Sequence, residues 1–505
     1  MAMDRVLPSA FAHTVTPNLQ SPMSPIAASQ PSNKLLIRGA LALLTGLPGA
    51  EARAHAQATD LRIHDGHIAA IGSLGPEPGE AVLDASGCVI YPAWVNTHHH
   101  LAQSILKGIP GGINATLTPW LEAVPFRYRS GFDGALLRVA ARIGLVELAL
   151  SGCGTVADHN YYYWPDMDFD GSTILFEEAE KLGLRFVLCR GGATRSRQFE
   201  GHLPKAHQPE TLQAFLDDLT RLRRRYHDPA PQAMRRVVAA PTTPLFSMLP
   251  QELRDTAAHA RSLGLRLHSH LSETVIYQQT AMTQHRCSPI DFAASVDWLG
   301  SDVWFAHLVK LSNGDINLLG RTGTGIAHCP QSNGRLGSGI APVRALENAG
   351  TPISLAVDGA ASNEAADMLC EAHTAWLTAR ARGGHNALPE YAGGGGETGA
   401  ADATVEDVVR WGTAGGARVL GLEGVGVLAP GMAADIAIYK LDQPRHFGLH
   451  DPAIAPVASG GATLRALLVA GKVVVCDGII PGLDLDELGA QSRAAVRMLQ
   501  SLAGA

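Results

Sequence analysis

The stretch Tyr91-Pro92-Ala93-Trp94-Val95-Asn96-Thr97-His98-His99-His100-Leu101 constrains this chain more than any other, because an apolar run ends abruptly in three histidines. If the run is a strand, successive side chains alternate faces, so His98 and His100 share one face and His99 takes the other. Two imidazoles on one face chelate a divalent cation readily, but a histidine tract on a surface reads the same way. The decision rests on whether the remaining ligands lie elsewhere in the chain.

The text after this stretch, from about residue 92 to 425, alternates short apolar runs with helical patterns. The runs lie near Thr155–Ala157, Arg185–Leu188, Arg236–Ala240, Leu265–Leu267, Val303–Ala306, Gly325–Ala327 and Ile353–Val357. Helical periodicity fills the gaps, as in Ala135–Leu150, Ile174–Leu182 and Gln251–Leu263, the last closed by Gly264. With the opening stretch this makes eight strands, and a closed (β/α)8 TIM-type barrel is the economical solution. Residues 33–91 read instead as short β-runs and turns, with a hairpin signal at Asp65-Gly66. The same texture returns in Ala434–Tyr439 and Leu464–Val475, turning at Ala470-Gly471. The expected class is therefore α/β: a barrel over 92–425 inserted into a small β-sandwich domain built from both chain ends, 33–91 and 426–505, the latter with a terminal helix. Residues 1–32, rich in Pro, Ser and Ala, read as a flexible leader outside the fold.

Composition narrows the partners. A net charge of -7 and the lack of a long basic run argue against nucleic acid. No apolar stretch is long enough to span a bilayer, so no membrane role is expected. The seven cysteines are scattered, odd in number and never spaced C-x-x-C, a pattern that fits a reduced, cytoplasmic protein.

Ligand-type residues gather where the runs end: His98 and His100, Asp158-His159, His268-Ser269-His270, His307, His328 and Asp358. Barrel enzymes carry their sites at that C-terminal rim. His98, His100, His270 and Asp358 would offer three neutral nitrogens and one carboxylate oxygen to one divalent ion, a set that suits zinc, with ferrous iron the alternative. Glu273, three residues past His270, is placed to move protons for a water activated by such an ion. His307 would orient that water or stabilise developing charge, and Asp358 is expected to be catalytic as well as a ligand.

These stretches together resemble the amidohydrolase superfamily, in its cytosine/guanine deaminase-like branch. The matching segments are Pro92 to His100, with Ala93 where the family usually has Gly; His268 to Glu273 for H-x-H-x-x-E; His307; His328-Cys329-Pro330-Gln331-Ser332-Asn333; and Val357-Asp358-Gly359. The resemblance implies one metal on His98, His100, His270 and Asp358, with Glu273 and His307 catalytic and ammonia leaving an aminated heterocycle. Dinuclear cyclic-amide hydrolases of the superfamily carry a lysine after strand four, where this chain has Val237 to Thr243 without one. The unrelated cytidine-deaminase signature is absent too.

By the same resemblance the substrate is read just past the metal. Gln103 follows strand one, Trp120 lies in the next loop, Tyr161 follows strand two, and Arg190 and Arg195 follow strand three. A glutamine amide pairs with a purine or pterin edge, an indole stacks on it, and an arginine binds a ring oxo group. Thr243-Pro244-Leu245-Phe246 lacks the arginine that guanine deaminases usually have there. The text is similar to 8-oxoguanine deaminases and, more closely, to isoxanthopterin deaminases, which implies conversion of isoxanthopterin to 7-oxolumazine. The alternatives are deamination of 8-oxoguanine or guanine, hydrolysis of a chloro- or alkylamino-s-triazine, and a non-catalytic binding protein on the same fold. A small heterocycle is the expected partner, and the family resemblance adds a homodimer.

Overall fold

The computed structural model describes residues 33–203, 208–386 and 403–503; the leader expected over 1–32 lies outside them. Eight parallel strands form one sheet in strict chain order. We label them β1 (Trp94–Asn96), β2 (Cys153–Asn160), β3 (Arg185–Arg190), β4 (Arg235–Ala239), β5 (Arg266–Leu271), β6 (Val303–His307), β7 (Gly325–His328) and β8 (Ile353–Leu355). Helices separate the strands, including Gly134–Leu150, Gly171–Lys181 and Pro250–Ser262. Each parallel pair therefore has a helical crossover, as parallel pairing requires. The first and last strands close the ring: Thr97 N donates to Leu355 O at 3.2 Å, and Asp358 N to His98 O at 3.2 Å. That closure sets Asp358 beside His98.

The strands are buried on both faces, which explains their unbroken apolar text. All eight residues of β2 are buried. The helices present one apolar face inward; the Gly134–Leu150 helix buries Leu137, Ala140, Ala141, Leu145 and Leu148, and the Asp133 side chain accepts from Leu136 N to cap it.

Two further sheets come from the flanks. One has the order His67–Gly72, Asp60–His64, Lys34–Arg38, Ala81–Asp84; the other runs Lys472–Cys476, Thr463–Val469, Ile436–Lys440, Cys88–Pro92, Ala42–Leu43. They pack face to face, with Ile37, Leu61 and Ile63 of the first against Ile90, Ile436 and Leu468 of the second in one apolar cluster. Both two-residue hairpins have the expected backbone: Asp65-Gly66 at φ 50° and 78°, Ala470-Gly471 at 47° and 76°. The sandwich is tied to the barrel by a buried ion pair, Arg185 at the foot of β3 with Asp435 at 2.9 Å, and by Trp94 Nε1 donating to the Tyr439 hydroxyl at 2.7 Å. Among the described residues no helix is long and apolar enough to cross a membrane.

One expectation is corrected. The opening stretch is two strands rather than one: Cys88–Pro92 belongs to the sandwich, where Pro92 pairs with Ile436, and only Trp94–Asn96 belongs to the barrel. Ala93 lies between them, its N–H donating to Asp435 O at 2.9 Å.

Candidate active site and metal centre

At the mouth of the barrel the histidines meet, and their hydrogen bonds define their tautomers. His268 Nδ1–H donates to Trp304 O at 2.9 Å, which leaves Nε2 a lone pair that accepts from His98 Nδ1–H at 2.7 Å. His98 Nε2 therefore carries no proton, and it has no hydrogen-bond partner. His100 Nδ1–H donates to His159 O at 2.7 Å and His270 Nδ1–H to Thr242 O at 2.6 Å, so their Nε2 atoms are lone pairs as well. These acceptors crowd together. His100 Nε2 lies 3.2 Å from His270 Nε2, and Asp358 Oδ1 lies 3.2 Å from His98 Nε2 and 3.3 Å from His100 Nε2.

Four electron pairs converge with no proton between them. Such a cup is repulsive on its own and fits a cation, so the donor set passes the test for a divalent metal site. Burial keeps His98 and His270 neutral, well below the ordinary histidine range. The geometry offers two overlapping groups of potential ligands, His98, His100, His159 and His270, and His98, His270, His307 and Asp358, each with its donor atoms within 4.8 Å of one another. The expected quartet draws on both. His159 commits Nε2–H to Ala240 O at 2.8 Å. His99 faces away from the cup, its Nδ1–H bonded to Asp358 O.

The carboxylate of Asp358 is fixed by Ser332 Oγ, which donates to Oδ2 at 2.7 Å, and by Gly359 N, which donates to Oδ1 at 2.7 Å. Ser272, His307 and Asp358 hold φ of 51°, 77° and 61°, sparsely populated values that gather at functional sites. Glu273 is buried, and its Oε2 stands 3.8 Å from His307 Nε2. Burial raises its carboxyl above the usual glutamate range; the charge of Asp358 adds to this and His307 opposes it.

The cavity above the cup is lined by His100, His270, Glu273, His307 and Asp358, and by the expected Gln103, Trp120, Tyr161 and Arg195. Gln103 Nε2 donates to the Tyr161 hydroxyl at 3.1 Å while its Oε1 has no partner. Trp120 is anchored through Nε1 to Ala361 O at 3.0 Å. Arg190 departs from expectation. Its guanidinium is bound to Glu210 at 2.5 Å and Asp218 at 2.9 Å and lies over the Tyr163 ring at 3.9 Å. With its donors spent on structure, it holds the loop after β3 and does not line the cavity.

Arg197 does line the cavity, with its guanidinium over the Phe246 ring at 4.2 Å. No motif in the sequence marks it as a site residue. Phe126, Arg129 and Tyr277, also in the lining, carried no motif. The only available signal was their position shortly before or after segments that do.

The fold and the converging donors define a metal-dependent barrel hydrolase, and the comparisons agree. The amidohydrolase family matches residues 89–474, and the chain belongs to that family. It is 62% identical over 473 residues to an isoxanthopterin deaminase from an unknown prokaryotic organism, covering 93% of this chain and 98% of that one. To the 8-oxoguanine deaminase of Pseudomonas aeruginosa it is 37% identical over 443 residues, 87% of this chain and 94% of the relative. A variant atrazine chlorohydrolase from Arthrobacter aurescens, whose crystal structure is complexed with zinc and atraton, superposes with a TM-score of 0.82 at 27% identity, covering 92% of this chain and all of that one.

Proposed function

We propose that the protein is a hydrolytic deaminase of an oxidised 2-aminopterin, converting isoxanthopterin and water to 7-oxolumazine (7-hydroxylumazine) and ammonia. The observation that carries this reading is the buried cup of three unprotonated imidazole nitrogens and a carboxylate, with the separate carboxyl group of Glu273 at its edge. The choice of substrate follows the relative that shares 62% of its residues with this chain.

His98, His100 and His270 through Nε2 and Asp358 through Oδ1 would hold one divalent cation. The nitrogen-rich set suits zinc, the ion of the chlorohydrolase structure, with ferrous iron the alternative. When bound, such an ion makes water a competent nucleophile near neutral pH. The chain's own residues manage the protons. Glu273 takes one from the attacking water and passes it to the departing amine, so the ring carbon gains a C–O bond, loses its C–N bond and releases neutral ammonia. His307 presents Nε2 to the reacting face as a lone pair, since its Nδ1–H donates to Asn333 Oδ1 at 2.9 Å, and there it accepts from the water and orients it.

Gln103 Oε1, free of partners, accepts from an N–H of the amidine edge, and Tyr161 supports that amide. Trp120 supplies a flat wall for the bicyclic ring. Arg195 and Arg197 complement the acidic oxo-bearing half of the substrate. The free cysteines suit a reducing compartment such as the cytoplasm, and sedimentation would read the homodimer that family resemblance implies.

The test is ammonia release from isoxanthopterin, 8-oxoguanine and guanine side by side, ranked by kcat/KM, with chloride release from a chloro-s-triazine measured in parallel. Isoxanthopterin is expected to lead. A lead by 8-oxoguanine, favoured by the 37% relative, would move the activity to purines. Triazine turnover without pterin turnover would overturn the deaminase reading, and no turnover at all would leave a binding protein.

A further inference from the structure

Glu273 and His307 both lean on one short turn behind β7. The helix Pro330–Arg335 follows that strand, and the chain then folds back on itself: Ser338 N donates to Asn333 O at 2.8 Å and Gly339 N to the same oxygen at 3.3 Å. The fold-back holds Gly337 at φ 70° and Gly339 at 109°, values that a residue with a Cβ adopts only under strain. Two side chains of the turn consequently reach the site. Asn333 Oδ1 accepts from His307 Nδ1–H at 2.9 Å, and Ser338 Oγ donates to Glu273 Oε1 at 3.1 Å. All four residues are buried.

Each proton-handling group is thus gripped by its far atom, and the near atoms, His307 Nε2 and Glu273 Oε2, are left facing each other 3.8 Å apart. A neutral imidazole carries its hydrogen on either nitrogen, and an acceptor at Nδ1 selects the form whose Nε2 is free. A glutamate with three rotatable torsions keeps one geometry only if something holds its carboxylate.

We propose that the Asn333–Gly339 turn is the positioning device of this active site: Asn333 sets the tautomer of His307, and Ser338 fixes the carboxylate of Glu273. Neither residue touches the cup or lines the cavity, so both are positioning residues. Their kinetic effect rests on the roles proposed above for Glu273 and His307, whereas the tautomer of His307 does not.

The test uses the full-length, metal-loaded protein with Ser338→Ala, Ser338→Thr and Asn333→Ala. Ser338→Ala and Asn333→Ala are expected to lower kcat about 10- to 100-fold, the range for lost supporting hydrogen bonds, with KM held within about twofold. Metal content should equal the parent's, and Ser338→Thr, which keeps the hydroxyl, should recover most of the rate. If Ser338→Ala does not fold, Ser338→Cys, similar in size and a weaker donor, reads the same bond. A 15N spectrum of the histidines, with His307 assigned through His307→Gln, should report the Nδ1–H form in the parent and a mixture in Asn333→Ala. Unchanged kcat, a loss that threonine does not restore, a fall in bound metal, or an unchanged His307 tautomer in Asn333→Ala would overturn the proposal. The spectrum needs no substrate, so failure of pterin turnover would count against the proposed activity and leave the positioning claim to be judged on its own.

Discussion

His268 touches no cavity and offers no donor to a metal, yet its replacement by phenylalanine should weaken metal binding. Its Nε2 is the acceptor that holds His98 Nδ1–H at 2.7 Å, and its ring stacks on the Trp304 indole with centroids 4.5 Å apart. Phenylalanine keeps the ring and the stacking but deletes both nitrogens. His98 is fully buried, so its stranded N–H has no water to turn to, at a cost of about 1–3 kcal/mol. If that cost falls on the metal-competent orientation of His98, metal binding weakens by about 5- to 150-fold. The Trp304 carbonyl also loses its donor, so the metal-free protein loses some stability as well. Zinc affinity is measured by equilibrium competition with a chelator, alongside thermal unfolding of the metal-free protein to separate the two costs. His268→Gln, whose amide oxygen can accept from His98, should recover part of the affinity. If His268→Phe bound zinc within about twofold of the parent, the tautomers assigned to the cup would be wrong.

Glu273→Gln should lower kcat by about 10²- to 10⁴-fold with metal content unchanged, and parallel steady-state kinetics and elemental analysis would show it; full activity would remove Glu273 from the mechanism. Burial, with Asp358, raises the Glu273 carboxyl above its ordinary 4.5; the proton acceptor is the carboxylate, so kcat/KM should fall as pH drops through that raised value, and an acid limb at or below 4.5 would contradict the assignment. Arg190→Met leaves Glu210 and Asp218 without their buried partner and should cost roughly 3–5 kcal/mol in urea unfolding; an unchanged midpoint would mean that the network is dispensable. Glu371 is buried with its carboxyl pushed up to about 8. Between its ordinary 4.5 and that value the unfolded chain has released a proton that the folded chain retains, so this group's contribution to stability declines as pH rises across the window. Urea midpoints near pH 5 and near pH 8 should show a slope that flattens in Glu371→Gln, and an equal slope in the variant would refute the shift.

Much of the architecture was legible because its signals are local. A strand buried on both faces is written as an apolar run, a hairpin as Asp65-Gly66 or Ala470-Gly471, and a helix end as Gly264. Part of the cup was legible because H-x-H in an extended segment sends two imidazoles to one face, and His98 and His100 lie just past the strand Trp94–Asn96. What sequence could not show depends on distant partners. Arg190 looked like a substrate group because nothing in the text says that Glu210 and Asp218 come to meet it. Asn333 and Ser338 gave no sign of their tasks, since His307 and Glu273 lie 26 and 65 residues away. The run through Tyr91 and Trp94 looked continuous because both of its strands are buried, and apolar text does not record the change of sheet at Ala93.

The sandwich has a consequence for how the protein is made. Trp94 bonds to Tyr439, 345 residues later, and the strand Cys88–Pro92 lies between Ile436–Lys440 and Ala42–Leu43. A ribosome adding roughly 5–20 residues per second releases the first of those neighbours only after the entire barrel has been synthesised, tens of seconds later. Throughout that interval Cys88–Pro92 offers an apolar, hydrogen-bonding edge to any other chain nearby. The nascent polypeptide thus exposes this edge for as long as its barrel is being made, and shielding of the edge during translation will bear on the yield of active protein.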